Sequence, residues 1–149
     1  MRFNYPADIN FGCSKCGLCC GNTANKVRHV LLLKSDAERI AKLTNQVVEL
    51  FAAQTPGKLP YLYEIRKTSE GKCVFLQNNQ CTVYDVRPLI CWFYPFELST
   101  DAGGVSTFRV TDECPGVCTT RAGVGEKLEI DYFRVLFELA RVELKDSPR

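Results

Sequence analysis

Apolar and β-branched side chains crowd residues 26–33, which predicts a strand there. Ser35-Asp36-Ala37-Glu38 follows with the S-x-x-E spacing of a capping box, so a helix is expected to begin at that point. Ala37, Ile40, Ala41 and Leu43 give the helix an apolar face, Val47, Leu50 and Phe51 extend it, and Thr55-Pro56-Gly57 stops it. Residues 59–67 alternate enough to predict a strand, and Ser69-Glu70-Gly71 a turn. Residues 73–76 and 81–84 flank the polar Gln77-Asn78-Asn79-Gln80, predicting a hairpin that sets Cys73 and Cys81 across paired strands. Pro88 suits the first turn of a short helix that would place Cys91 over that hairpin. Asp101-Ala102-Gly103-Gly104 reads as a turn and 105–110 as a strand. Leu128, Tyr132, Val135, Leu136, Leu139, Ala140 and Val142 recur at helical spacing, predicting a lid helix over 126–145 before a frayed end. Residues 1–12 read as an irregular arm whose Phe3, Tyr5, Ile9 and Phe11 belong to core packing rather than to a cover over a metal. The expected fold is α+β: one small domain over 1–149, with short antiparallel strands and two or three helices around cysteine-rich metal-binding loops.

Composition narrows the functional classes. A chain of 149 residues is about one domain and buries roughly two thirds of its unfolded surface without help from a metal. Its 19 basic and 17 acidic residues are mixed along the sequence, net +2, with no electrostatic footprint for nucleic acid. The early apolar run at 30–33 is far too short for a membrane span. The opening Met1-Arg2-Phe3-Asn4-Tyr5-Pro6 has no apolar signal core. Nine cysteines are therefore expected as thiols in a reducing cytoplasm rather than as a disulfide framework.

Four of those cysteines stand in Cys13-Ser14-Lys15-Cys16-Gly17-Leu18-Cys19-Cys20-Gly21, spaced CxxCxxCC. A CxxC turn can aim two sulfurs at one point while backbone N–H groups stabilise the thiolate charge, so these are candidate metal ligands. Gly17 and Gly21 suit a chain that wraps closely or takes positive φ. Cys13, Cys16 and Cys19 have the spacing with which bacterial ferredoxins present three thiolates to a [4Fe–4S] cluster. Side chains of adjacent residues diverge in an extended segment, so Cys19 and Cys20 are expected to serve different centres. Cys73, Cys81, Cys91 and Cys114 supply further thiols downstream.

CxxCxxCC, then CxFLxxxxCxVYxxRPxxCxxxPF over residues 73–96, then Cys114-Pro115-Gly116, together resemble the YkgJ-type cysteine-cluster proteins, a family described as zinc- or iron-chelating. The resemblance covers roughly residues 11–118. It implies metal binding by Cys13, Cys16, Cys19, Cys20, Cys73, Cys81, Cys91 and Cys114, with Cys118 as an extra.

Iron–sulfur and zinc centres both accept four thiolates. The ferredoxin-like run, the Cys114-Pro115 pair and the many aromatics favour an iron–sulfur cluster, of the 4Fe-4S type. The Cys13/Cys16 half-site completed by Cys73 and Cys81 is the zinc alternative. The expected role is electron transfer, or a cluster module for a protein partner. A zinc-stabilised interaction module is a second reading. A cluster-dependent modifying enzyme is a third, because the CxxCxxCC pattern also occurs in flagellin lysine N-methylases. No catalytic residue can be named, since no Ser/His/Asp or Cys/His arrangement is readable around the single histidine. His29 is expected to be a packed or surface residue. Arg87 is expected to tie its turn together through backbone carbonyls or Asp85, rather than to offset cluster charge. Gly123-Val124-Gly125 lacks the strand and third glycine of a nucleotide loop, and Asp112-Glu113 reads as solvated loop charge.

Overall fold

The computed structural model describes residues 3–11, 21–23, 27–110, 117–119 and 126–145. Within them lie eleven short strands and four α-helices: β1 (Phe3–Asn4), β2 (Ile9–Phe11), β3 (Leu31–Leu32), α1 (Lys34–Thr44), α2 (Val48–Phe51), β4 (Ala52–Gln54), β5 (Tyr63–Ile65), β6 (Leu76–Gln77), β7 (Gln80–Cys81), α3 (Leu89–Phe93), β8 (Phe96–Thr100), β9 (Ser106–Val110), β10 (Val117–Thr119), β11 (Glu126–Lys127) and α4 (Ile130–Leu144). A 3-10 turn spans Tyr84–Val86. The α+β expectation holds, although α2 and α3 are single turns. Strand order is β1-β9-β8, β10-β2-β11 and β3-β5-β4 in three small sheets, with β6-β7 as a hairpin. Pairing is antiparallel except between β1 and β9, which run parallel.

Two apolar clusters fill the interior. One gathers Leu32, Ile40, Phe51, Ile65, Cys73, Phe75 and Val83, with Cys81, Ile90 and Cys91 packed against it. The other is aromatic and centres on Phe133, whose ring lies 4.9 Å from that of Phe96, 5.1 Å from Tyr5 and 5.3 Å from Phe108. Phe3, Tyr5, Ile9 and Phe11 all pack into this second cluster, so the N-terminal segment is core, as expected. It is not irregular, however: it supplies β1 and β2.

Five local readings change. The helix expected to run through Phe51 ends at Asn45, whose φ of +54° is the left-handed conformation that asparagine tolerates as a helix stop. Leu43, Val47 and Leu50 are then exposed rather than on a buried face. The strand over 26–33 reduces to β3, and the strand over 59–67 to β5. In α4 the buried positions are Phe133, Leu136 and Ala140, whereas Val135 and Val142 are 68% and 63% exposed. Residues 126–127 are not helix but the edge strand β11, held beside Phe11 and Asn10.

Candidate metal centre

The hairpin that carries Cys81 is tighter than its sequence suggests. Asn78 and Asn79 both adopt positive φ, +52° and +60°, forming the two-residue turn that matches strand twist. Leu76 therefore pairs with Cys81, and Cys73 stands before the hairpin rather than across it. Cys73 instead lies opposite Lys67 in an antiparallel bridge, and its carbonyl accepts the Leu76 N–H at 3.0 Å. The two cysteines still share one apolar cluster with Cys91. Cys73 is 6% exposed and the other two are half-buried, and all three are thiols rather than disulfides.

Cys91 is positioned by a carboxylate from a distant part of the sequence. Its helix α3 begins after Pro88, which has no side-chain acceptor for the first N–H groups. Asp36 of α1 serves instead: Oδ1 accepts the Leu89 N–H at 3.2 Å and Oδ2 the Leu33 N–H at 2.9 Å. One fully buried carboxylate thus caps two helices. Ser35, read as the cap, lies inside α1 and its hydroxyl donates to Glu143 at 3.1 Å. Arg39 joins Asp36 (2.8 Å) to Glu143 of α4 (3.1 Å). Burial holds the Asp36 carboxyl above its ordinary value, opposed by the Leu33 and Leu89 N–H groups and by Arg39. Sequence reasoning missed Asp36; the available signal was an acid at the third position of α1 together with a short helix that opens on proline.

The CxxCxxCC stretch at 12–20 lies outside the described residues, but both of its ends are fixed. At one end Phe11 pairs with Val117, three residues after Cys114, and with Glu126. At the other, Gly21 bridges to Lys72, the neighbour of Cys73, and Asn22 N–H donates to Gly71 O at 2.9 Å. This second contact requires glycine. Gly21 has φ +154°, and a Cβ there would meet Gly71 O at 2.4 Å and Lys72 Cα at 2.7 Å. Both are backbone atoms that cannot swing aside. The sequence that bears Cys13, Cys16, Cys19 and Cys20 is therefore flanked by Phe11, paired with the strand that follows Cys114, and by Gly21, bridged to the segment that bears Cys73. Cys114 is also outside the described residues, as are Gly17, Asp112-Glu113 and Gly123-Val124-Gly125; Cys118 is in β10, with its backbone opposite Asn10.

Among the described residues, no three His, Cys, Asp or Glu side chains are gathered as a metal ion requires. Cys73, Cys81 and Cys91 alone do not make a centre; one built on them would need further thiols, such as those in 12–20 or Cys114. The donor set fits a thiophilic metal, since sulfur ligands on an apolar wall suit zinc or iron–sulfur. Asn10, in β2 just ahead of residues 12–20, is buried, and its Oδ1 meets no donor among the described residues, an arrangement that costs about 1–3 kcal/mol unless a donor meets it.

His29 is half-exposed, with Nδ1 2.7 Å from Glu64 Oε1, a surface pair as expected. Arg87 donates to Tyr84 O at 2.8 Å, and its guanidinium lies 3.9 Å from the Tyr84 ring centre and 3.4 Å from that of Trp92. It organises its turn through a backbone carbonyl and two rings.

The CxxCxxCC family, described as "Putative zinc- or iron-chelating domain", matches residues 12–120. The chain belongs to this family. An uncharacterized protein from Methanocaldococcus jannaschii is 30% identical over 105 residues, covering 66% of this chain. The chain spans about half of that relative's length, 52%. No solved structure matches. Among the described residues, no helix is long and apolar enough to cross a membrane.

Proposed function

We propose that this CxxCxxCC domain holds an iron–sulfur cluster of the [4Fe–4S] type through its clustered cysteines, for electron transfer or as a cluster module for a protein partner. The observation that supports the reading is the antiparallel bridge of Gly21, which directly follows Cys19-Cys20, to Lys72, the chain neighbour of Cys73, with Cys73, Cys81 and Cys91 belonging to one apolar cluster. Cys13, Cys16 and Cys19 provide the ferredoxin-like run; Cys20, Cys73, Cys81, Cys91 and Cys114 are the remaining ligand candidates. When bound, such a cluster supplies one-electron redox chemistry.

The chain's own residues do the rest. Phe75, Val83 and Ile65 exclude water from the Cys73 side, which strengthens local electrostatics. Asp36 fixes the start of α3 and so the placement of Cys91. A reducing compartment, the cytoplasm, suits the thiol state of the three described cysteines.

The test is optical and electrochemical, on protein purified without oxygen. A broad visible band that dithionite bleaches and air restores, with a reversible reduction wave, is the expected result. A colourless, redox-silent protein carrying zinc would refute the cluster and leave a zinc-stabilised interaction module.

A further inference from the structure

Where the two cysteine-bearing segments cross, two ammonium groups converge on one residue. Lys67 Nζ donates to Asn22 Oδ1 at 2.9 Å, and Lys72 Nζ donates to Asn22 O at 3.0 Å. Asn22 follows Cys19-Cys20-Gly21 directly, Lys72 is the chain neighbour of Cys73, and Lys67 is bridged opposite Cys73. Both lysines are half-buried, and among the described residues neither has a carboxylate within ion-pair distance. Neutral oxygens alone do not balance two partly desolvated cations; half-buried charge is stable when an opposite charge stands near it. Four thiolates carry more negative charge than the metal they surround, and that surplus would stand beside these lysines. Arg87, four residues before Cys91, is already stacked between Tyr84 and Trp92.

We propose that Lys67 and Lys72 are the fixed counter-charges of the cysteine centre, positioned through Asn22 to retain the metal by electrostatics rather than by ligation. This rests on the reading of the site as a metal centre, and holds for iron or zinc alike.

The test compares wild type with Lys67→Met, Lys72→Met and the charge-keeping Lys67→Arg and Lys72→Arg, with the exposed Lys58→Met as control. Each protein, loaded with the metal that the wild type carries, is challenged with a chromogenic chelator at low and high salt. Each methionine variant is expected to release metal roughly tenfold faster at low salt, a gap that narrows as salt screens the charge. The arginine variants and Lys58→Met should stay near wild type. Wild-type release alone should quicken with salt, a readout that needs no variant. Melting curves of the metal-free proteins separate misfolding from loss of charge. Folded methionine variants that release metal at the wild-type rate would overturn the proposal. Wild type that takes up no metal at all would instead bring down the metal-centre reading, and this proposal with it.

Discussion

Replacing Asp36 by asparagine keeps the shape of the side chain and removes half of what it does. The carboxylate accepts two backbone N–H groups, from Leu33 and Leu89, and an Arg39 N–H. An amide has one acceptor oxygen, so it can serve only one of the two helix starts and turns an NH2 toward the other. Leaving one buried N–H unsatisfied costs about 1–3 kcal/mol. The lost bond to Arg39 adds about 1 kcal/mol or less, because that guanidinium is 39% exposed and keeps Glu143. The expected loss is about 1–4 kcal/mol, or roughly 2–16 °C in melting temperature for a chain of this length. Arg39→Met, which leaves both helix caps in place, should cost less.

The pH dependence has a definite sign. Burial raises the folded-state value of Asp36 above its ordinary 3.8, with Glu143 adding to the rise and the Leu33 and Leu89 N–H groups and Arg39 opposing it. A raised acid contributes stability that is fully present below about 3.8 and is lost as pH climbs through the folded value. The gap between wild type and Asp36→Asn should therefore widen as pH falls from neutral toward 4. Glu143, Arg39 and Tyr61 face the same site, and taking the difference removes their shared contribution. Urea unfolding of metal-free protein at several pH values measures both effects. A change under about 0.5 kcal/mol at neutral pH would refute the two-helix capping argument, and a gap that narrows on acidification would refute the dominance of burial over the Leu33 and Leu89 N–H groups in setting the Asp36 carboxyl.

Gly21→Ala should open the backbone crossing at Gly71 and Lys72 and lower metal retention, whereas Gly57→Ala, with nothing within 4 Å of the added Cβ, should carry only the positive-φ cost of about 1–2 kcal/mol and retain metal; chelator challenge beside a thermal melt distinguishes them. Phe133→Ala is expected to lose about 3–5 kcal/mol by chemical denaturation, against less than about 0.5 kcal/mol for Val135→Lys on the outer face of α4. Trp92 is the sole tryptophan and the neighbour of Cys91, so metal loading should quench its fluorescence in wild type and far less in Cys91→Ser.

Readings that rest on a residue's own backbone were legible in the sequence. Gly21 was expected to allow close approach, and it makes one. The Ser69-Glu70-Gly71 turn forms, with Gly71 at φ +78°, and Asp101 Oδ1 ties its turn by accepting from Gly103 and Val105. Readings that depend on distant pairing were hidden. Nothing local in Phe3–Asn4 announces a parallel partner at Ser106 and Thr107, and nothing near Ile9–Phe11 announces flanking strands from 117–119 and 126–127. Register was equally opaque around Cys73, because the positive φ of Asn78 and Asn79 shortens the loop and shifts the pairing to Leu76. In α4 a seven-residue spacing drew Val135 and Val142 onto the predicted face, while the packed stripe passes through Phe133, Leu136 and Ala140. The site divided in the same way: the ligand types came from motif spacing, but Asp36, Lys67 and Lys72 acquire their roles only from contacts across the fold.

The most direct test of the account is the iron and acid-labile sulfide content of protein purified without oxygen, wild type beside Cys73→Ser. Iron and sulfide in near-equal amounts in wild type, and sharply reduced in the variant, is the predicted result. Zinc without sulfide in wild type would contradict the iron–sulfur assignment, and an unchanged content in Cys73→Ser would contradict the proposal that Cys73 is a ligand of the cluster.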